Sequence, residues 1–223
     1  MRRDRERLEP HVSPMGLSAV LFEAPGAFDL DTQRRIWSLA QSVEQWPDVI
    51  EAAPGMTNLL VMFRTPQREP ERIEQALLSA WSEARPREAN SRLFEIPVVY
   101  GGEGGPDLDH MADETRLSRD KVIAIHTGRD YTVFALGSHP GYGYLGIVDP
   151  RLFIPRRQVP RVSVPEGSVS IGGWQTGASA SAGPSGWHTI GRTRQRFFDP
   201  NTDTPVLLKP GDRIRFIPEA ILP

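Results

Sequence analysis

The sequence contains no cysteine, which excludes a disulfide framework, a thiolate zinc site, an iron–sulfur cluster and a cysteine nucleophile together. A reducing cytoplasm is the compartment that this composition fits. An excess of one charge is also missing: 26 Lys and Arg stand against 28 Asp and Glu, a formal net charge of −2. No broad electrostatic footprint for nucleic acid or anionic lipid follows, and small-molecule or protein partners are expected instead. No stretch approaches the roughly 18 apolar residues of a membrane span, and no apolar run follows the charged opening MRRDRERLEP. The expectation is a non-membrane protein whose residues 1–14 are flexible. The five histidines, at 11, 110, 126, 139 and 188, show neither HxH nor HExxH spacing, so no metal site is expected.

Glycine is scarce at first and abundant later. Only Gly16, Gly26 and Gly55 precede residue 98 in a chain that holds 20 glycines. At 223 residues the chain exceeds the common domain size of about 100–150, and the glycine shift places a boundary near Tyr100. Residues 15–100 read as alternating elements. GLSAVLFEA suggests a strand buried on both faces. Over 29–45, Ile36, Leu39, Ala40 and Val43 fall on one helical face, with Asp29 available as a cap and Pro47 barring continuation. VIEAAPGMTNLLVMFR sets a Pro54-Gly55 turn between two extended runs, a hairpin. From Pro70 to Arg85, Ile73, Ala76, Leu77, Ala80 and Trp81 repeat at helical spacing. RLFEIPVVY closes the series as a strand, with Pro97 marking an edge or a bulge. The order βαββαβ predicts a ferredoxin-like α/β domain.

Beyond it, 101–223 reads as two linking helices and a β-barrel. Leu108, Met111, Ala112 and Thr115 mark the first helix, and Ser118 caps the second. Short β-like runs then alternate with Gly/Pro turns, the pattern of a small barrel.

Several stretches carry candidate chemistry. GGEGGP (101–106) precedes a helix and reads either as a hinge or as an anion-binding loop, without the GxxxxGK[ST] lysine or GxGxxG spacing. Asp107, next to it, reads as a helix cap or as a group that orients a ligand. IPRRQVPRVSVPEG places Arg156 and Arg161 each directly after a proline, where a fixed backbone can present a guanidinium fork to carboxylate or phosphate. Gln175, Thr176 and Arg192 add hydrogen-bonding groups suited to an amide-bearing ligand. His188, beside Trp187 in PSGWHTIGRT, is either a satisfied wall histidine or a site residue.

YGGEGGPDLDHMADETRLSRDKVIAIHTGRDYTVFALGSHPGYGYLG, PRRQVPRVSVPEGSVSIGGWQTG and PSGWHTIGRT together resemble the family of the 5-oxoprolinase B subunit. That family also includes the KipI-type kinase inhibitors and allophanate hydrolase subunit 1. The resemblance runs from about residue 15 to the end. It implies an N-terminal α/β domain followed by a cyclophilin-like barrel. It further implies a cytoplasmic component that works with a homologous partner, the 5-oxoprolinase C subunit, to activate 5-oxoproline with ATP and magnesium, shared between the two proteins, while an A subunit completes ring opening to glutamate. The alternatives it implies are a KipI-type inhibitor of a histidine kinase, or a protein related to allophanate hydrolase and urea carboxylase.

Family-like positions here are Gly101, Gly102, Gly105, Pro106 and Asp107; Pro140, Gly141, Tyr144, Leu145 and Gly146; Arg156 and Arg161; Gln175 and Thr176; and Trp187, Gly191 and Arg192. The expected assignment is Asp107, Arg156 and Arg161 as catalytic, with Tyr144, Gln175, Thr176, His188 and Arg192 on the substrate. Gly101, Gly102, Pro140 and Gly141 shape the loops. Two departures remove bulk: Ser138 replaces an aromatic of the family pattern, and ASASAGPSG lacks its usual tyrosine-proline pair. Both imply a roomier pocket.

Overall fold

The structure, a computed structural model, describes residues 8–26, 28–86 and 91–223. It is α+β and divides into two compact units, Met1–Ala89 and Asn90–Pro223.

In the first unit the elements run β1 (His11–Pro14), β2 (Ala19–Glu23), α1 (Leu30–Val43), β3 (Val49–Pro54), β4 (Asn58–Phe63) and α2 (Pro70–Glu83). The strands form one antiparallel sheet in the order β1-β2-β4-β3. Period-two alternation buries Val20, Phe22, Leu59, Val61 and Phe63 against Ile36, Leu39, Val43, Leu77 and Trp81 of the helices. The strand of GLSAVLFEA is therefore buried on one face rather than two, since Ala19 and Leu21 are only half-covered. Asp29 caps α1 through Thr32 N at 2.7 Å. Gln33, fully buried, donates to Gly55 O (2.9 Å) and accepts from Thr57 N (2.8 Å), so α1 holds the expected Pro54-Gly55 hairpin turn.

Two expectations are corrected here. Residues 1–7 of the supposed flexible start lie outside the described residues, but His11–Pro14 is a strand, because β2 offers it an open edge and registers His11 against Glu23. The strand of RLFEIPVVY does not close this sheet. It is β5 (Leu93–Tyr100), which lies between two strands of the second unit, β12 (His188–Arg192) and β13 (Arg213–Ile221). Its Ile96, Val98 and Tyr100 are buried in that unit's core. Pro97 fits because β12 pairs with β5 only at Val99 and Tyr100, leaving a neighbour on one side at the proline. The βαββαβ closure thus fails, and the N-terminal β1 holds the edge position instead.

The second unit continues with a 3-10 turn (Gly102–Gly104), α3 (Leu108–Thr115), α4 (Arg119–Thr127), β6 (Tyr131–Leu136), β7 (Gly143–Gly146), β8 (Arg161–Val164), β9 (Ser168–Gly172), β10 (Gln175–Ala178) and β11 (Gly183–Ser185) before β12 and β13. Seven strands close a barrel in the order β10-β7-β6-β13-β5-β12-β9, and β8 pairs with β11 as a separate ribbon. Ser118 caps α4 as expected, accepting from Lys121 N. The two helices are not linkers. Leu108, Met111, Val122 and Ile123 enter the barrel core, with α3 against β12 and α4 against β13.

A polar chain crosses this core. Thr176 Oγ1 donates to Ser170 O (3.0 Å), so it accepts from His126 Nε2 (2.9 Å). His126 Nδ1 is then an acceptor for the Tyr100 hydroxyl (2.8 Å). Every member is satisfied, and complete burial pulls the His126 pKa down to about 3, which keeps the ring neutral.

Candidate functional site

Asp107 sits at the start of α3, 3% exposed, yet its carboxylate does not cap the helix. Its Oδ1 accepts from Arg157 Nη1 (2.8 Å) and Arg161 Nη2 (2.9 Å), and its Oδ2 from Arg161 Nη1 and Thr189 N (2.8 Å). A backbone bond from Asp107 N to Thr189 O (2.9 Å) completes a two-way tie to β12. Burial raises the carboxyl pKa, but the Arg161 and Thr189 hydrogen bonds and both guanidinium charges outweigh it and hold the group below the usual carboxylate range. A carboxylate this saturated is a poor proton acceptor. Its structural work is to hold the Arg161 fork on β8 and Arg157 before it in fixed positions.

Arg161 opens onto a cavity of about 280 Å³ lined also by Pro106, Ser163, Ser168, Thr189 and Arg192. Two guanidiniums, the Glu103 carboxylate and the Ser163 hydroxyl border a volume near the lower end for small-ligand sites, while the Ser168 hydroxyl donates to Pro165 O (2.8 Å) and the Thr189 hydroxyl bonds that of Ser170 (3.1 Å). Guanidiniums beside a hydroxyl are groups that suit a small carboxylate, phosphate or amide. Arg192 is held by donating from Nε to Glu166 O (3.1 Å). It also borders a second cleft, of about 540 Å³, together with Glu103, Gly104, Arg194 and Arg196. Gly104 allows Arg192 its place, since a Cβ there would stand 3.1 Å from Arg192 Cβ.

His188 is 4% exposed and donates from Nε2 to Pro155 O (2.9 Å), leaving Nδ1 a buried acceptor without a partner. Burial lowers its pKa, so the ring is neutral near pH 7. It stacks on His110 at 5.2 Å. The nearby Arg157 Nε is likewise buried and unpartnered.

Asp107, Arg161, His188 and Arg192 therefore gather around one wall of the barrel. The other expected residues lie elsewhere. Thr176 is fully buried in the barrel interior and is spent on His126, which removes it from any substrate surface. Arg156 lies near Gly186, and it is Arg157 that pairs with Asp107. Tyr144 belongs to an aromatic cluster with Tyr142 (4.9 Å) and Trp187 (6.3 Å). Pro140 and Gly141 turn the chain into that cluster, and Gly172 gives Trp187 its room, a Cβ there meeting the ring at 2.5 Å. Gln175, on the opposite face of β10 from Thr176, keeps a buried Nε2 without a partner. Gly101 and Gly102 shape the turn that carries Gly104.

Sequence reasoning missed Arg157, whose signal was its place in the Pro-Arg-Arg run. It also missed Ser163, Ser168 and Thr189, and Arg194 and Arg196, which continue Arg192 at every second residue. Among the described residues no group of three or more His, Cys, Asp or Glu side chains could hold a metal ion. The Asp107 carboxylate is already occupied by arginines.

An α+β chain with a closed barrel matches a known class. Residues 10–208 match the family described as carboxyltransferase domain, subdomain C and D, and the chain belongs to this family. Its relatives include the B subunit of 5-oxoprolinase from Escherichia coli O157:H7, 45% identical over 92% of this chain and 94% of the relative. The protein of the same description from Haemophilus influenzae is 38% identical over 95% and 99%. The crystal structure of TTHA0988 is similar at a TM-score of 0.75 and 33% identity over 91% of this chain. The chain spans only 40% of the length of that protein. The barrel fits the cyclophilin-like fold.

Proposed function

We propose that the chain is a working component of an ATP-dependent 5-oxoprolinase, dependent on a homologous partner of the C-subunit type and on an A subunit that completes ring opening. The observation that carries this reading is the near-full-length likeness to the 5-oxoprolinase B subunit, joined to a cavity that suits a small carboxylated lactam. In it Arg161, clamped by Asp107, takes the substrate carboxylate bidentately. Ser163 offers its hydroxyl to the lactam amide. Arg192 stabilises the charge that develops as ATP activates the amide oxygen. Transfer of the terminal phosphoryl group to the amide oxygen releases ADP; one water then supplies hydroxyl to the acyl carbon and a proton to the nitrogen as the ring C–N bond breaks, leaving an acyl phosphate, and a second water releases inorganic phosphate to give glutamate. Magnesium would enter with the nucleotide, whose phosphate oxygens supply ligands to it.

The test is ATP hydrolysis by the complex purified from its own source. Stimulation by 5-oxoproline is expected, and ATP turnover indifferent to 5-oxoproline contradicts the reading. Recovery of a sensor histidine kinase in place of a barrel partner would favour the inhibitor class.

A further inference from the structure

We infer that the cleft bordered by Arg192, Arg194 and Arg196 is a binding site for an oligophosphate chain. The three arginines follow one another at every second residue. Burial alternates with them, because Thr193 and Phe197 are buried and the arginines between are exposed. The strand itself ends at Arg192, yet all three arginines border the same cleft. Among the described residues no ion pair engages any of them, as none engages Arg116, Arg129 or Arg156, whereas Arg92, Arg119, Arg151, Arg157, Arg161, Arg213 and Arg215 of the same unit are paired with carboxylates; of the unpaired arginines, 192, 194 and 196 line one cleft. Arg192 is instead oriented by the main-chain oxygen of Glu166, which fixes the side chain without consuming its charge.

The cleft, about 540 Å³, is of ligand size. Glu103 and Glu166 also line it, so three cations face two carboxylates and leave one positive charge in excess. Three forks on one cleft exceed what one carboxylate or one phosphate engages bidentately, and the planar fork matches successive phosphate groups. Glu103, Gly104 and Arg192 border both this cleft and the 280 Å³ cavity, so a phosphate chain held by the arginines lies beside the small-ligand chamber. The oligophosphate site stands without the 5-oxoprolinase reading; only the identification of its ligand as a nucleotide rests on it.

The test is calorimetric titration of the purified full chain with inorganic tripolyphosphate at low salt, for wild type, the double variant Arg194→Gln/Arg196→Gln, and Arg68→Gln as an exposed arginine of the other unit. Saturable binding by wild type and Arg68→Gln, weakened about tenfold or more in the double variant, is expected. Both replaced side chains are exposed, and unchanged thermal unfolding confirms that the double variant folds. No binding by wild type, or equal affinity in the double variant, overturns the inference. Displacement of tripolyphosphate by ATP but not by adenosine, at higher affinity than tripolyphosphate itself, identifies a nucleotide. Equal or weaker displacement identifies a free phosphate chain. The 5-oxoproline assay fails independently of either outcome.

Discussion

Replacing Asp107 by asparagine keeps the side-chain shape and removes half of its hydrogen-bonding capacity. Each carboxylate oxygen accepts two bonds, one pair from Arg157 and Arg161 and the other from Arg161 and Thr189 N. Whichever way the carboxamide turns, an NH2 group confronts two donors. Hydrogen bonds to charged groups are worth about 1.5–3 kcal/mol each, and breaking a buried pair by removing one partner costs about 3–5 kcal/mol. The two arginine side chains are each 28% exposed, so water partly rehydrates them, and the expected loss lies at the lower end, about 3 kcal/mol. Native-state hydrogen exchange reads this in the barrel unit alone, which matters in a chain of two units. The core amides of Val169 and Ile171 should lose protection by that amount, and the Thr189 amide, deprived of Oδ2 or left facing an amine, by at least as much. A loss below about 1 kcal/mol would refute the view that Asp107 is the clamp of this wall.

Three further outcomes are expected. With its folded pKa near 3 against 6.5 unfolded, His126 is protonated on unfolding, so stability falls as pH drops from 6.5 toward 3, by about 1.4 kcal/mol per pH unit within that window. Imidazole NMR should show no His126 titration near pH 6.5. Asp107 acts in the same direction at lower pH, its contribution being lost as pH falls through its depressed folded pKa. Gly172→Ala drives a methyl into the Trp187 ring and should cost about 1–3 kcal/mol with a shifted tryptophan emission; unchanged emission and stability would contradict the packing described. Arg161→Lys keeps the charge but loses the fork, and should lower kcat/KM for 5-oxoproline in the reconstituted complex about tenfold or more, with a far smaller effect from Arg156→Lys.

What was legible in the sequence followed from periodicity and caps. α1 and α2, the Pro54-Gly55 hairpin and the Ser118 cap all declare themselves within a few residues of chain. β5 was misplaced because a strand's alternation says which residues are buried but not which sheet they join, and its partners β12 and β13 lie about a hundred residues away. The site was half legible for the same reason. Arg161 stood out by its proline, and Asp107 by its place before a helix, yet only the fold reveals that they bind each other. Thr176 looked like a ligand group, since nothing local shows that it faces inward toward His126. Arg157 was hidden behind Arg156, as adjacent residues in extended chain point to opposite sides and the sequence does not say which side matters.

The most direct test of the central proposal is glutamate release from 5-oxoproline and ATP by the complete complex, with this chain omitted and then added back. The account predicts no release without it, restoration by wild type, and poor restoration by Arg161→Lys. Undiminished release in its absence would contradict it.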